Sequence, residues 1–411
     1  MLASLNNQSA VCFKNAGAAA FLEENVMLNK ALLDASVDVP FVVFSNNKIE
    51  RKERLRRVSV NYSLCFLSPF LTLPLTNRLA MKYVGKLTKS LWSNNHKALH
   101  ISNRFLNNTD SMMQELNRMS KKTNKDPFDI LFNKIASNKK KEQILNIDEL
   151  LKSCDGDKEK LRKKLIAAKN SVLSFDFLFS IGSICGMAFL NNKLTKDKTK
   201  TSGYSAEFEL ADKETIEKRA EKYQKKEPLR KGITAGLVAA MTAFPLIINR
   251  GLASQKTTGL AGFIKNNAHK FDYTNGIFMK RLPLFMFLTA GMTGVALASR
   301  NQTELKNNLI INGSGLAVYF GGDILINSAL AKLSDKFLKT EIIDKNAPKT
   351  LKNKILPPTI PIRNLEGKSK KVASVNFFIN LVILALTYGL GLPYTINKVV
   401  RKDLQKDKEK V

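Results

Sequence analysis

"VASVNFFINLVILALTYGLGLPYTIN", residues 372–397, runs for 26 residues without a charge. The hydrocarbon core of a bilayer is about 30 Å thick, and a helix needs about 20 apolar residues to cross it. This run is long enough to do so with some tilt. Lys371 and Lys398 stand at its two ends, where long cationic side chains reach from an apolar helix to the headgroups.

Five further runs share this character. They are 58–77 "VSVNYSLCFLSPFLTLPLTN", 170–192 "NSVLSFDFLFSIGSICGMAFLNN", 232–249 "GITAGLVAAMTAFPLIIN", 282–299 "LPLFMFLTAGMTGVALAS" and 307–331 "NNLIINGSGLAVYFGGDILINSALA". None alternates apolar and polar residues at period two, which excludes the pattern of a membrane β-barrel. The fold class expected is an all-α, polytopic integral membrane protein with about six transmembrane helices.

The intervening segments are polar. Residues 1–57 form an N-terminal soluble or interfacial segment, 78–169 a basic helical insert, 193–231 a charged helical loop, 250–281 a loop, 332–371 an irregular linker and 398–411 a basic tail. The first residues lack a basic region followed by an unbroken apolar core, so no cleavable signal peptide is evident. The localisation expected is a multi-pass membrane one.

A formal net charge of +31 raises the question of nucleic acid. Of the 66 basic residues 15 are Arg and 51 are Lys, and there are also 37 Asn. Readers of bases and phosphates favour the planar Arg fork, so this surplus points away from nucleic acid. Anionic lipid headgroups, which attract Lys and Arg at about 1 kcal/mol per residue, are the partner expected beside the bilayer itself. The density of Lys and Arg is similar on alternate sides of six spans, so charge leaves the topology open.

Two aspartates, Asp176 and Asp323, are the acidic residues inside the six runs. A carboxylate in hydrocarbon costs about 2.5–3.5 kcal/mol on insertion scales, so each should face a partner, water or a polar interior. They are the expected intramembrane polar site for transport or ion coupling. Asp176 precedes Pro245 by 69 residues, and Asp323 precedes Pro393 by 70. That spacing suggests two three-span halves inserted in opposite directions, the inverted-repeat plan of many secondary transporters.

Small residues recur at helical spacing. Gly182 and Gly186, and Gly232 and Gly236, are expected to let helix backbones approach, together with "TAGMTG" at 289–294. Pro69, Pro74, Pro245 and Pro393 are expected helix breaks, since proline removes a backbone donor. His96 and His100 share a helix face but lack a third metal ligand, and no cofactor or metal site is expected. "CDGDKEKL" at 154–161 lacks the spacing of a calcium loop and is expected to cap a helix. Cys12, Cys65, Cys154 and Cys185 show no CxxC pair.

"SFDFLFSIGS" at 174–183 and "FGGDILINSA" at 320–329 resemble the paired-aspartate motifs of presenilin-like intramembrane aspartyl proteases. The resemblance covers about twenty residues and implies two carboxylates that share a proton and activate water. It departs from the motif at Phe320, where glycine belongs, and no PAL sequence follows. Transport therefore leads among the expectations, a structural or membrane-organising role comes second, and an intramembrane hydrolase third.

Overall fold

A computed structural model of the chain describes residues 15–24, 26–63, 98–99, 101–121, 145–272, 281–348 and 350–408. Among them the protein is all-helical, with two isolated β-bridges and no strand. In chain order the helices are α1 (Asn15–Glu24), α2 (Val26–Val43), α3 (Lys48–Tyr62), α4 (Thr109–Lys121), α5 (Ile147–Lys152), α6 (Lys158–Thr199) and α7 (Lys213–Lys225). Then follow α8 (Glu227–Ala253), α9 (Gly259–Asn266), α10 (Arg281–Leu297), α11 (Gln302–Ala317), α12 (Asp323–Leu338), α13 (Leu351–Ile355) and α14 (Gly367–Lys408).

Four helical stretches are long and apolar enough to cross a membrane: α6, α8, the α11–α12 stretch Gln302–Leu338, and α14 over Gly367–Asp403. The run 282–299 becomes the shorter apolar helix α10. The run 58–77 enters helix α3 at its start, and its remainder, with Pro69 and Pro74, lies outside the described residues. In the most apolar window of each long stretch, 50% of α6, 17% of α8, 11% of Gln302–Leu338 and 28% of α14 is buried. A soluble helical domain buries its apolar faces. Here Leu246, Ile247, Leu309, Leu325, Leu333, Val382 and Leu386 stay exposed, an apolar surface compatible with a membrane protein.

The helices overrun their apolar stretches. Helix α6 has 42 residues, about 60 Å at 1.5 Å each, so roughly half of it lies beyond a hydrocarbon core. It opens not at Asn170 but at Lys158, because no proline intervenes and Asp157 caps its start: Oδ1 accepts from the N–H of Glu159 at 2.8 Å and of Lys160 at 3.1 Å. The expected breaks at Pro245 and Pro393 are corrected by the structure, since α8 and α14 run on past both. A buried proline costs one donor without ending a helix where the surroundings hold it straight.

Internal contacts divide the chain into two compact units, Met1–Tyr62 with Ile184–Thr234 and Gly291–Val411, and Ser63–Ser183 with Ala235–Ala290. In the first, α1, α2, α11 and α12 pack against α14. Phe41, Tyr204, Leu392, Ile396 and Val400 form one apolar cluster there, and Ala19, Ala331, Ile362, Ala373 and Phe377 another. The linker after α12 is pinned by Asp335, whose carboxylate accepts from the N–H of Ile342 at 2.9 Å and of Ile343 at 3.0 Å.

The second unit has an ordinary water-soluble core, in which Leu106, Met112, Leu116, Leu150, Leu161, Leu165, Ile248 and Leu252 are buried together. Two cations are buried beside it. Arg162 donates to the carbonyls of Leu106 at 2.9 Å and Leu252 at 3.2 Å while pairing with Glu159. Lys169 meets Asp272 at 2.7 Å. Burial pulls the Asp272 carboxyl up, but the charge and hydrogen bond of Lys169 outweigh it and hold the group below the usual carboxylate range.

Removing one partner of such a pair strands the other. Lys169→Met is expected to lower stability by about 3 kcal/mol or more, measured by thermal unfolding in detergent. Adding Asp272→Asn should recover most of the loss; an equal loss in the double variant would refute the pairing as its source.

Candidate functional site

The stretch from α11 to α12 changes pitch without breaking. Residues Val318–Gly322 form a π turn, and Asp323 is the next residue. A π turn inserts one residue into an α-helix and loosens the backbone pairing around it, which is why such turns gather at functional sites. Asp323 is buried, and its Oδ1 accepts from Asn327 Nδ2, one turn along, at 3.1 Å and from Asn380 Nδ2 on α14 at 2.7 Å. Asn380 is 2% exposed and its Oδ1 accepts no hydrogen bond. The Asp323 carboxylate thus takes two amide hydrogen bonds inside an apolar bundle, while the amide oxygen of Asn380 is left unused.

The site belongs to a polar seam along one face of α14. Asn376, Asn380, Leu384 and Tyr388 recur every four residues, so they share a face. Asn376 donates to Ser334 Oγ at 2.9 Å, Leu384 rests against Gly322, and Tyr388 Oη donates to the carbonyl of Ile311 at 2.8 Å. Gly315 lies directly beneath the Tyr388 hydroxyl, where a Cβ would collide with it. The sequence signal for this seam was present as Asn376 and Asn380 four apart in the longest apolar run. It was overlooked because an uncharged amide does not stand out as a carboxylate does.

Asp176 lies buried in α6, in the second unit, and Asp323 in the first. Its neighbour Phe177 packs against Phe287 with ring centroids 6.3 Å apart. Asp176 sits in unbroken α-helix, so the two aspartates differ in local backbone. Of the expected packing glycines, Gly182 approaches Val238 of α8, whereas Gly186, Gly232 and Gly236 face open space. In "TAGMTG", named with them, Gly294 meets Cys185 and Gly291 meets Ile184. His96 and His100 lie outside the described residues.

A second polar centre, in the first unit, was not legible in sequence. Arg300, at the turn between α10 and α11, donates to Glu53 of α3 at 3.1 and 2.7 Å and to Glu304 at 3.0 and 2.8 Å. All three are buried. Burial opposes the charges of Glu53 and Arg300, but the facing charges outweigh it and keep Glu53 low and Arg300 high. Thr195 Oγ1 donates to Glu53 at 3.2 Å, and Arg56 reaches Asn191 at 2.8 Å and Thr195 at 3.1 Å, which ties α3 to the end of α6. Asn301 caps α11 by accepting from the N–H of Glu304 at 2.9 Å, and its amide reaches Glu207 at the same distance.

No protein family, curated protein or solved structure matches the chain. Among the described residues the structure is that of a helical protein with four helical stretches long and apolar enough to cross a membrane.

Burial raises the Glu207 carboxyl from its ordinary 4.5 to about 7, with Arg219 and Asn301 opposing the rise. Between those values the folded group keeps a proton that the unfolded chain has released, so its contribution to stability falls as pH rises through the window. Glu207→Gln is expected to gain stability over the wild type from pH 4.5 to 7, by about 1 kcal/mol per unit at most, and to level off above. Thermal unfolding of both proteins across that range tests it; a pH-independent difference would sink the assignment.

Proposed function

We propose that the protein is a polytopic membrane transporter or channel-like protein in which Asp323 takes up and releases a proton or a small monovalent cation. The observation that carries this reading is Asp323 itself, buried directly after a π turn and held by Asn327 and Asn380. The two amides hold the carboxylate in place, and the oxygen of Asn380 is left without a donor. Intramembrane carboxylates at irregular helix segments mark ion pathways far more often than they mark packing.

Six crossings and a three-plus-three inverted repeat belong to the same proposal. The four long helices, the short apolar α10 and the run 58–77 supply six candidates. The matched distances from Asp176 to Pro245 and from Asp323 to Pro393, and the even spread of Lys and Arg, support the repeat. The bilayer and its anionic headgroups are the partners in this reading, and Asp176 is its second polar position.

A structural, membrane-organising role is the other reading. It is favoured by the Asn380 bond, since interhelical hydrogen bonds of this kind average about 0.6 kcal/mol and simply tie helices. One experiment separates the two. The full chain in proteoliposomes under a pH or sodium gradient should pass ions faster than protein-free vesicles, and Asp323→Asn should slow this about tenfold while unfolding within a few degrees of the wild type. Vesicles with wild-type protein no leakier than empty ones would leave the structural role standing.

A further inference from the structure

A cavity of about 430 Å³ in the first unit opens between the C-terminal end of α6, the α7–α8 junction and the residues after α10. Its walls include Lys193, Lys196, Tyr223, Arg230 and Lys231, with Phe189 as an apolar side. The volume is that of a small-molecule site.

The charges in it are unevenly spent. Lys231 pairs with Glu227 at 2.6 Å, and Arg300 is taken up by Glu53 and Glu304. Among the described residues no carboxylate pairs with Lys193, Lys196 or Arg230, and Asp197 is the remaining acid on the wall. Arg230 is held in place by donating to the carbonyls of Ser299 at 2.7 Å and Ala296 at 3.2 Å, with its guanidinium 4.8 Å from the Tyr223 ring centroid. Three cations without a paired carboxylate, one of them immobilised, outnumber Asp197 around the cavity and make an anion site, and guanidinium with ammonium groups suits a phosphate.

The depth of the cavity selects the anion. The apolar run of α6 ends at Asn192 and that of α8 begins at Gly232, so Lys193 and Lys231 mark the level at which both helices leave hydrocarbon. Just beyond that level on the apolar side, Leu190 and Ile233 are 44% and 50% exposed. A ligand seated here has its charged end among the cations and room for an apolar part along the two helices.

We propose that this cavity binds the phosphate group of an anionic phospholipid, with the acyl chains against Leu190 and Ile233. The proposal rests on the membrane-embedded reading and gives its headgroup partner a defined seat. Lys193 and Lys196 attract the phosphate, Arg230 orients it, and Phe189 shields the site.

The full chain purified in detergent is titrated with phosphatidylglycerol, phosphatidylcholine or inorganic phosphate, and bound lipid is counted by native mass spectrometry. Phosphatidylglycerol is expected to bind in preference to phosphatidylcholine, and Lys193→Gln with Lys196→Gln to weaken it about tenfold. Both lysines are exposed and unpaired, so this variant keeps its fold; Arg230→Gln should weaken binding likewise. Equal binding of the two lipids, an unaltered affinity in the lysine variant, or inorganic phosphate binding as tightly as the lipid would each overturn the proposal. Release of the chain from membranes by alkaline carbonate without detergent would instead sink the membrane reading, whereas charge-blind lipid binding by a carbonate-resistant chain sinks the site alone.

Discussion

Apolar side chains that no other part of the protein covers set the terms for the rest of this structure. On α8, α11, α12 and α14 most of the apolar surface points outward. Where lipid surrounds such helices, water cannot satisfy a polar group, and each must find its partner within the chain. Asp323, Asn327 and Asn380 do so together, as do Asn376 with Ser334 and Tyr388 with the Ile311 carbonyl. The seam that results is narrow, and Gly315 and Gly322 are what allow α14 to come close enough to form it.

Where the helices leave the apolar region the constraint reverses. Arg300, Glu53 and Glu304 are buried charges, and a buried ion network is a poor source of stability because desolvation offsets most of its attraction. What it provides is geometry: Arg300 meets two carboxylates from two helices, so the turn between α10 and α11 has few other places to sit. Arg56 and Thr195 extend this tie to α6, and Arg219 and Asn301 extend it to the segment around Glu207. The cavity lined by Lys193 and Arg230 adjoins the same arginine, at the level where spans end.

The second unit solves a different problem. Its core of Leu106, Leu116, Leu150 and Leu161 is that of a soluble domain, yet α6 and α8 both continue from it into apolar stretches. Arg162 and Lys169 lie on the polar part of α6, and their contacts with Leu106, Leu252 and Asp272 anchor that part. A helix that is soluble at one end and apolar at the other is read as two segments if only its charges are counted.

Run length and charge spacing alone pointed to a helical chain with about six apolar runs, because the hydrocarbon thickness demands about 20 uncharged residues; among the described residues the structure has four helical stretches long and apolar enough to cross a bilayer. They also singled out Asp323, since a carboxylate in such a run is costly wherever it points. The cap before Lys158 was legible, but how far the helices outlast their apolar runs was not, because Lys and Glu propagate a helix as well as Leu does, and so α6 and α14 overrun those runs by a dozen residues or more. Neither were the partners of Asp323, the Arg300 triad, or which of the expected small residues touch a neighbour. Those depend on which faces of distant helices meet, and only tertiary packing decides whether Gly294 or Gly186 is the one against a neighbour.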